Sequence, residues 1–292
     1  MRTAPATTRS AVLLVVVLLA VAGCARSGDA PEPGATRPAS SPPSAATSRA
    51  PVTPRSTAAA PTIRPEPPLA GAVVVLDPGH QLGNAAHPAE TSRPVDAGGF
   101  TKPCNTTGTA TEGGYPEATF TWEVALETRR VLRQLGARVL LTRVRNSAEA
   151  WGPCVDERGR AGNPDEPGPT ADVKISIHAD GSVSAGAHGF HVIAPEERAP
   201  WTTDIAAPSL RLAEVVRGAL VDEGLATSTY TGNDGIDVRG DLGTLNLADI
   251  PTVLVELGNM RDPGDAALMT SEEGRRAYAS ALASAVERFL AL

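Results

Sequence analysis

Residues 73–80 read VVVLDPGH, an apolar run that changes abruptly to polar residues. A short run of β-branched and aliphatic residues is typical of a buried strand. The same pattern returns as VKISIHAD at residues 173–180 and as TVLVELGN at residues 252–259. We therefore predict three buried strands, at residues 72–76, 173–177 and 252–256, whose ends carry polar side chains able to do chemistry.

Helical patterns separate these strands. Residues 117–135 carry apolar side chains at helical spacing, and Gly136 follows them as a stop signal. Further helices are predicted at residues 156–162, 209–223 and 272–290, and further strands at residues 138–142 and 189–193. Strands that alternate with covering helices indicate an α/β layered domain. The long irregular segment at residues 81–115 is predicted to be a functional loop.

The first 24 residues have the organisation of a secretion signal. Arg2 and Arg9 precede an apolar run at residues 11–22, which is too short for a good membrane-spanning helix. Small residues directly precede Cys24, and this ending resembles the bacterial lipobox, in which the cysteine is acylated after cleavage. We expect residues 1–24 to be a lipoprotein signal peptide with lipidation at Cys24. The alternative is an ordinary signal peptide with a chance cysteine.

The rest of the chain divides by composition. Residues 25–70 are rich in Pro, Ser, Thr and Ala and almost lack large apolar side chains, so they are predicted to form a disordered tether. Residues 71–292 have the pattern of one globular domain. The net charge is -7, without a basic block in that domain. We expect no nucleic-acid partner, because such binding needs clustered Lys and Arg, and we expect a monomer.

Export affects the interpretation of Cys104 and Cys154. Outside the cytoplasm these residues can form a disulfide. A bridge across about 50 residues would constrain the unfolded chain by roughly 4 kcal/mol. The alternative is a pair of zinc thiolates. We favour the disulfide, because a better set of metal ligands exists without the cysteines.

The polar strand ends supply two imidazoles and a carboxylate, His80, His178 and Glu256. Active sites of open α/β sheets form outside the carboxyl ends of the strands, so these side chains can converge. Two histidines and a carboxylate suit a catalytic zinc ion with an open position for water. The third ligand can be Glu117, which follows Pro116 at the start of a predicted helix, where the helix dipole favours a carboxylate. Glu256 then remains free to act as a base.

The motifs, taken together, carry a family resemblance. DPGH at residues 77–80, SIHAD at residues 176–180 and VLVELGN at residues 253–259 resemble, in this order, the zinc-dependent N-acetylmuramoyl-L-alanine amidase family. The resemblance covers essentially all of residues 72–292. The dipeptide TR at residues 142–143 and Arg158 fit the family pattern, and GGYPE at residues 113–117, with the two cysteines, resembles the mycobacterial branch in particular.

This resemblance implies a fold, a metal and a reaction. The fold is a three-layer α/β sandwich, in which helices on both faces cover a mixed, mostly parallel sheet of about six strands. One Zn²⁺ per chain is held by His80, Glu117 and His178, and Glu256 is the catalytic carboxylate. The reaction is hydrolysis of the amide between N-acetylmuramic acid and the L-alanine of the stem peptide, in peptidoglycan or muropeptides. The implied location is the outer face of the cell membrane or the cell wall, reached through the N-terminal lipid.

Three further residues are candidates for the substrate groove. Arg239 suits the carboxylates of a stem peptide, because guanidinium binds carboxylate bidentately. Asn259 follows the last predicted strand and is expected to line the cleft. His191 lies beside the fourth strand and can reach the groove, although an ordinary strand position is the alternative.

Two other classes of function remain open. The first is a different zinc hydrolase of the cell wall, a peptidase or a deacetylase, although the helical H-E-x-x-H motif of many zinc peptidases is missing from the sequence. The second is a non-catalytic module that binds peptidoglycan. We favour an enzyme, because Glu256 and the three expected ligands are all present in the sequence.

Overall fold

The structure, a computed structural model, describes residues 66–292. Its strands are β1 (Val73–Pro78), β2 (Pro94–Asp96), β3 (Thr101–Pro103), β4 (Arg138–Leu141), β5 (Val173–Asp180), β6 (His191–Pro195), β7 (Ile236–Arg239) and β8 (Thr252–Asn259). Its helices are α1 (Pro88–Thr91), α2 (Glu117–Gln134), α3 (Val155–Arg160), α4 (Ala206–Asp222), α5 (Gly243–Asn246), α6 (Pro263–Thr270) and α7 (Glu272–Leu290). The predicted signal, residues 1–24 with Cys24, lies outside the described residues, as do residues 25–65 of the predicted tether.

Six strands form one sheet in the order β4-β1-β5-β8-β6-β7. The strands β4, β1, β5 and β8 run parallel, whereas β6 is antiparallel to β8, and β7 is parallel to β6. The expected mixed, mostly parallel sheet of about six strands is confirmed. The carboxyl ends of β1, β5 and β8 therefore meet at one edge of the sheet.

Alternation along the strands separates the two faces of the sheet. Ile175 and Ile177 of β5 belong to the main core, which packs against α2, α4 and α7. Ser176 and His178 alternate with these residues, so they lie on the opposite face. That face is covered by the short helices α3 and α5 and holds smaller apolar clusters. Helices thus cover both faces, and the predicted site residue His178 lies on the face that α3 and α5 cover.

Several elements were not expected from the sequence. The irregular segment contains α1 and an antiparallel hairpin of β2 and β3, and β7, α5 and α6 also form where no element was predicted. All but α6 are only three or four residues long, too short for a periodic pattern to emerge. Within residues 66–292, every helix is too short or too polar to cross a bilayer.

Candidate metal centre and active site

Three buried side chains converge at the carboxyl edge of the sheet. His80, Glu117 and His178 each offer one ligand atom, and these atoms lie within 4.8 Å of one another. Glu117 Oε1 is 3.1 Å from His80 Nε2 and 3.0 Å from His178 Nδ1. The two imidazole rings meet edge to face, with centroids 4.9 Å apart. The structure therefore brings together the three candidate ligands predicted from the sequence.

Local backbone geometry presents the two imidazoles to each other. His80 follows β1 in a left-handed conformation, with φ of 57°, so the chain turns sharply as it leaves the strand. Gly79, beside it, has no side chain, and a Cβ there would lie 2.4 Å from His178 Cε1. Only glycine allows β1 to pass this close to the ring of a neighbouring strand.

Glu117 is held as a carboxylate at the first position of α2. Its Oε2 accepts a hydrogen bond from the Thr109 backbone N–H at 3.0 Å, and its Oε1 accepts one from Ala179 N at 3.2 Å. Burial by itself would raise the pKa of Glu117, but the adjacent His80 and His178 outweigh burial and hold the pKa well below its usual range. A permanently ionised carboxylate between two imidazoles is suited to binding a cation.

Each imidazole is also contacted on its outer nitrogen. His80 Nδ1 lies 3.0 Å from the carbonyl oxygen of Thr106, and Arg158 Nη2 lies 3.0 Å from His178 Nε2. Arg158 in turn forms a buried ion pair with Asp77, with bonds of 2.7 Å and 2.9 Å to the two carboxylate oxygens. Donation of a ring N–H to a carbonyl, as from His80 Nδ1 to Thr106, orients metal-binding histidines in other proteins. Arg158 can only donate to His178 Nε2, so it holds that ring through the nitrogen lone pair. The donor set of two imidazoles and a carboxylate fits zinc.

Glu256 stands next to this centre. It pairs in register with His178 on β5 and with His191 on β6, and it lines the same cleft as the three ligands. Its Oε2 is buried and has no hydrogen-bond partner among the described residues. Burial, together with the negative charges of Glu117 and Asp180, raises the pKa of Glu256 well above its ordinary value, although Arg239 opposes this shift. A carboxyl group whose protonated form is favoured in this way is suited to take up and return a proton during a reaction.

The three groove candidates occupy different places. His191 is buried at 3% exposure, opposite Glu256 on β6, with its ring edge to face against Tyr230. Arg239 is partly buried and forms a two-point ion pair with Asp241, which also contacts Lys102. Asn259 is buried, and its amide donates to the carbonyls of Ser182 and Ala187, so it holds the loop after β5.

Part of the site lies in backbone groups, which sequence reasoning did not identify. Thr106 and Thr109 act through a carbonyl and an N–H, which any residue type supplies. Gly108 lies between the ligands, and a Cβ there would be 2.8 Å from Glu117 Oε2. The only sequence feature that pointed to these three residues is that they belong to the long loop, residues 81–115, that was predicted to be functional.

The two cysteines of the domain are bonded to each other. The Cys104–Cys154 disulfide has an S–S distance of 2.09 Å, and both residues are buried. The structure therefore contains the predicted bridge and not a pair of zinc thiolates.

Comparison with known proteins places the chain in a family. A family model described as N-acetylmuramoyl-L-alanine amidase matches residues 74–288. The chain is 46% identical over 226 residues to the N-acetylmuramoyl-L-alanine amidase Rv3717 of Mycobacterium tuberculosis, covering 76% of this chain and 88% of that protein. It also matches the crystal structure of the amidase Ami1 from Mycobacterium smegmatis, with 41% identity, a TM-score of 0.68 and coverage of 76% and 98%. Apo Ami1 from Mycobacterium abscessus gives 45% identity, a TM-score of 0.68 and coverage of 76% and 99%. The chain belongs to the N-acetylmuramoyl-L-alanine amidase family.

Proposed function

We propose that this protein is a zinc-dependent N-acetylmuramoyl-L-alanine amidase that acts on peptidoglycan or on muropeptides. It hydrolyses the amide between the lactyl group of N-acetylmuramic acid and the L-alanine of the stem peptide. The observation that carries this proposal is the convergence of His80, Glu117 and His178 within 4.8 Å, in a cleft that Glu256 also lines.

Zinc is the metal that this donor set favours. His80, Glu117 and His178 would hold it, and the protein would leave one side of the ion open to the cleft. When bound, zinc supplies a Lewis acid that activates water and polarises an amide carbonyl.

Glu256 supplies the proton transfers. Its carboxylate takes one proton from the attacking water and returns a proton to the nitrogen of L-alanine as the amide bond breaks. The buried, unpartnered Oε2 and the raised pKa both suit a group that is protonated for part of the reaction.

The rim of the cleft suits a peptide with carboxylate groups. A smaller apolar pocket adjoins the centre, with Val155, Leu242 and Leu254 in its wall and Lys102 at its edge. Arg239 and Lys102 both contact Asp241, so a stem-peptide carboxylate that bound Arg239 would compete with Asp241 for it. His191 lies beside Glu256 on the neighbouring strand, and Asn259 would act through the loop that it holds.

We also propose an arrangement for the whole chain. Residues 1–24 direct export, Cys24 carries a lipid, residues 25–70 form a tether, and residues 71–292 form the catalytic domain. This arrangement places a monomeric enzyme at the outer face of the cell membrane, in reach of the wall. The charged start, the apolar run and the small residues before Cys24 support it.

A digest of purified peptidoglycan, followed by mass spectrometry, tests the reaction. We expect intact stem peptides with a free L-alanine amino group, and we expect a chelator to abolish their release and added Zn²⁺ to restore it. Shortened peptides would indicate a peptidase, and loss of acetyl groups would indicate a deacetylase. Binding to the wall without any product would indicate a non-catalytic module.

A further inference from the structure

The disulfide occupies a particular place relative to the candidate metal centre. Cys104 directly follows β3, and Cys154 directly precedes α3. The backbone joins the same two segments, because Val155 N donates to the Cys104 carbonyl at 2.7 Å. The bridge therefore fixes the loop that follows β3 to the start of α3, and Asn105, Thr106 and Val155 from these two segments line the same pocket.

One arm of this bridge leads to His80. Thr106 is two residues after Cys104, and its carbonyl oxygen lies 3.0 Å from His80 Nδ1. Asn105, between them, ties the arm to the second half of the bridge, since its Nδ2 donates to the Pro153 carbonyl at 2.7 Å. Its Oδ1 accepts from Thr106 N at 2.8 Å. The orientation of the Thr106 carbonyl is thus set by residues on both sides of the disulfide.

The other arm leads to His178. Arg158 is four residues after Cys154, on the first helical turn that the cysteine begins, and its backbone N–H donates to the Cys154 carbonyl at 3.0 Å. Its guanidinium contacts His178 Nε2 at 3.0 Å and is anchored on the other side by Asp77. Both imidazoles of the centre are therefore contacted by residues within four positions of a bridged cysteine.

We propose that the Cys104–Cys154 bridge is a positioning element for the metal centre, which holds the outer contacts of both imidazoles in register. The proposal rests on the proposed function, because it takes zinc as the ion. Loss of the group that accepts the ring N–H of a metal-binding histidine, here the Thr106 carbonyl beside His80 Nδ1, typically weakens metal affinity by about 10- to 100-fold. A disulfide that only stabilised the fold would lower the melting temperature and leave the affinity of the folded protein unchanged.

The test compares the full chain with a variant that carries Cys104→Ser and Cys154→Ser. The zinc dissociation constant is measured by competition with a chromogenic chelator, at a temperature where circular dichroism shows both proteins folded. We expect the variant to bind zinc about 10- to 100-fold more weakly. We also expect an altered visible absorption spectrum when Co²⁺ replaces zinc, because the ligand geometry changes. An unchanged dissociation constant and an unchanged Co²⁺ spectrum would overturn the proposal, whatever happens to the melting temperature.

Two more variants keep the result interpretable. Asn105→Ala keeps the disulfide and loosens only the arm that leads to His80, so it should weaken zinc binding by about 10-fold. If the serine variant does not fold, this variant tests the proposal in its place. Leu220→Ala removes a core side chain of α4 and should lower stability without changing zinc affinity.

If the unaltered protein neither binds zinc nor releases stem peptides, the proposed function and the bridge proposal both fail. If it does both and the serine and Asn105 variants bind zinc equally well, only the bridge proposal fails.

Discussion

Glu256 combines two properties that rarely occur together on a structural residue. Its Oε2 is buried without a hydrogen-bond partner within residues 66–292, and its strand neighbour is the metal-ligand candidate His178. A buried oxygen without a partner costs stability, and such a group beside three candidate ligands suits a catalytic role.

We therefore predict that Glu256→Gln keeps zinc but loses activity. The amide has nearly the same shape and cannot carry the proton, so the rate of stem-peptide release should fall by about 10² to 10⁴. The rate is measured on muropeptides by liquid chromatography, and bound zinc is measured by elemental analysis.

A control variant separates this effect from a loss of metal. His178→Ala should lose both zinc and activity, because it removes a ligand and not the base. Turnover close to that of the unaltered protein in Glu256→Gln would show that another group carries the proton.

At the scale of elements, one carboxylate ties the strands beneath the site together. Asp77, at the end of β1, is fully buried and accepts from Arg158 on α3, Ser176 on β5 and Thr142 after β4. Burial would raise the pKa of Asp77, but Arg158 and the hydroxyl donors outweigh burial and lower it. The network therefore connects three strands and one helix through a single ionised group.

We predict that Asp77→Asn destabilises the domain by about 3–5 kcal/mol at neutral pH, because Arg158 is left buried without a counter-charge. The folded-state pKa of Asp77 lies below its unfolded value, so its contribution is present above about pH 4 and is lost as the pH falls further. The difference between the two proteins should therefore shrink in acid. Urea unfolding at several pH values measures it.

Thr142→Ala is the matched comparison for this prediction. It removes one hydrogen bond to the same carboxylate but leaves both charges in place, so it should cost about 1 kcal/mol. Equal losses in the two variants would mean that the ion pair with Arg158 contributes little.

The elements also show which predictions a sequence pattern supports. Helices α2 and α7 were predicted to within one residue, because helical spacing leaves a strong signal. Strands β1, β5 and β8 were predicted from their apolar runs, and each continues two or three residues beyond its predicted end. Helix α4 begins at Ala206, three residues before the predicted start, because Pro208 is tolerated in a first turn. Strand β7 gave no signal, since its four residues are only partly buried at the edge of the sheet.

At the scale of the whole molecule, the catalytic domain is only part of the chain. The family match covers residues 74–288, and the sequence before it has the composition of a signal and a tether. A lipid on Cys24 would keep the enzyme close to newly made wall and would limit its reach to the length of the tether.

We predict that Cys24→Ala releases the exported protein from the membrane. In cell fractionation, the unaltered protein should sediment with membranes and dissolve in detergent, whereas the variant should appear in the culture supernatant or in the wall fraction. Incorporation of a labelled fatty acid into the unaltered protein alone supports the same assignment. Equal membrane association of both proteins would mean that Cys24 is not the anchor.

The sequence alone determined the class of fold, the order of the long elements and the side chains able to bind a metal, because these depend on local periodicity and on residue type. His80, His178 and Glu256 were recognisable since each follows an apolar strand. Only the tertiary structure decided which backbone groups orient those side chains, and that His191 and Asn259 are buried. The reason is physical. The position of the Thr106 carbonyl and the packing of one strand against another depend on distances between distant parts of the chain, and residue type does not encode these distances.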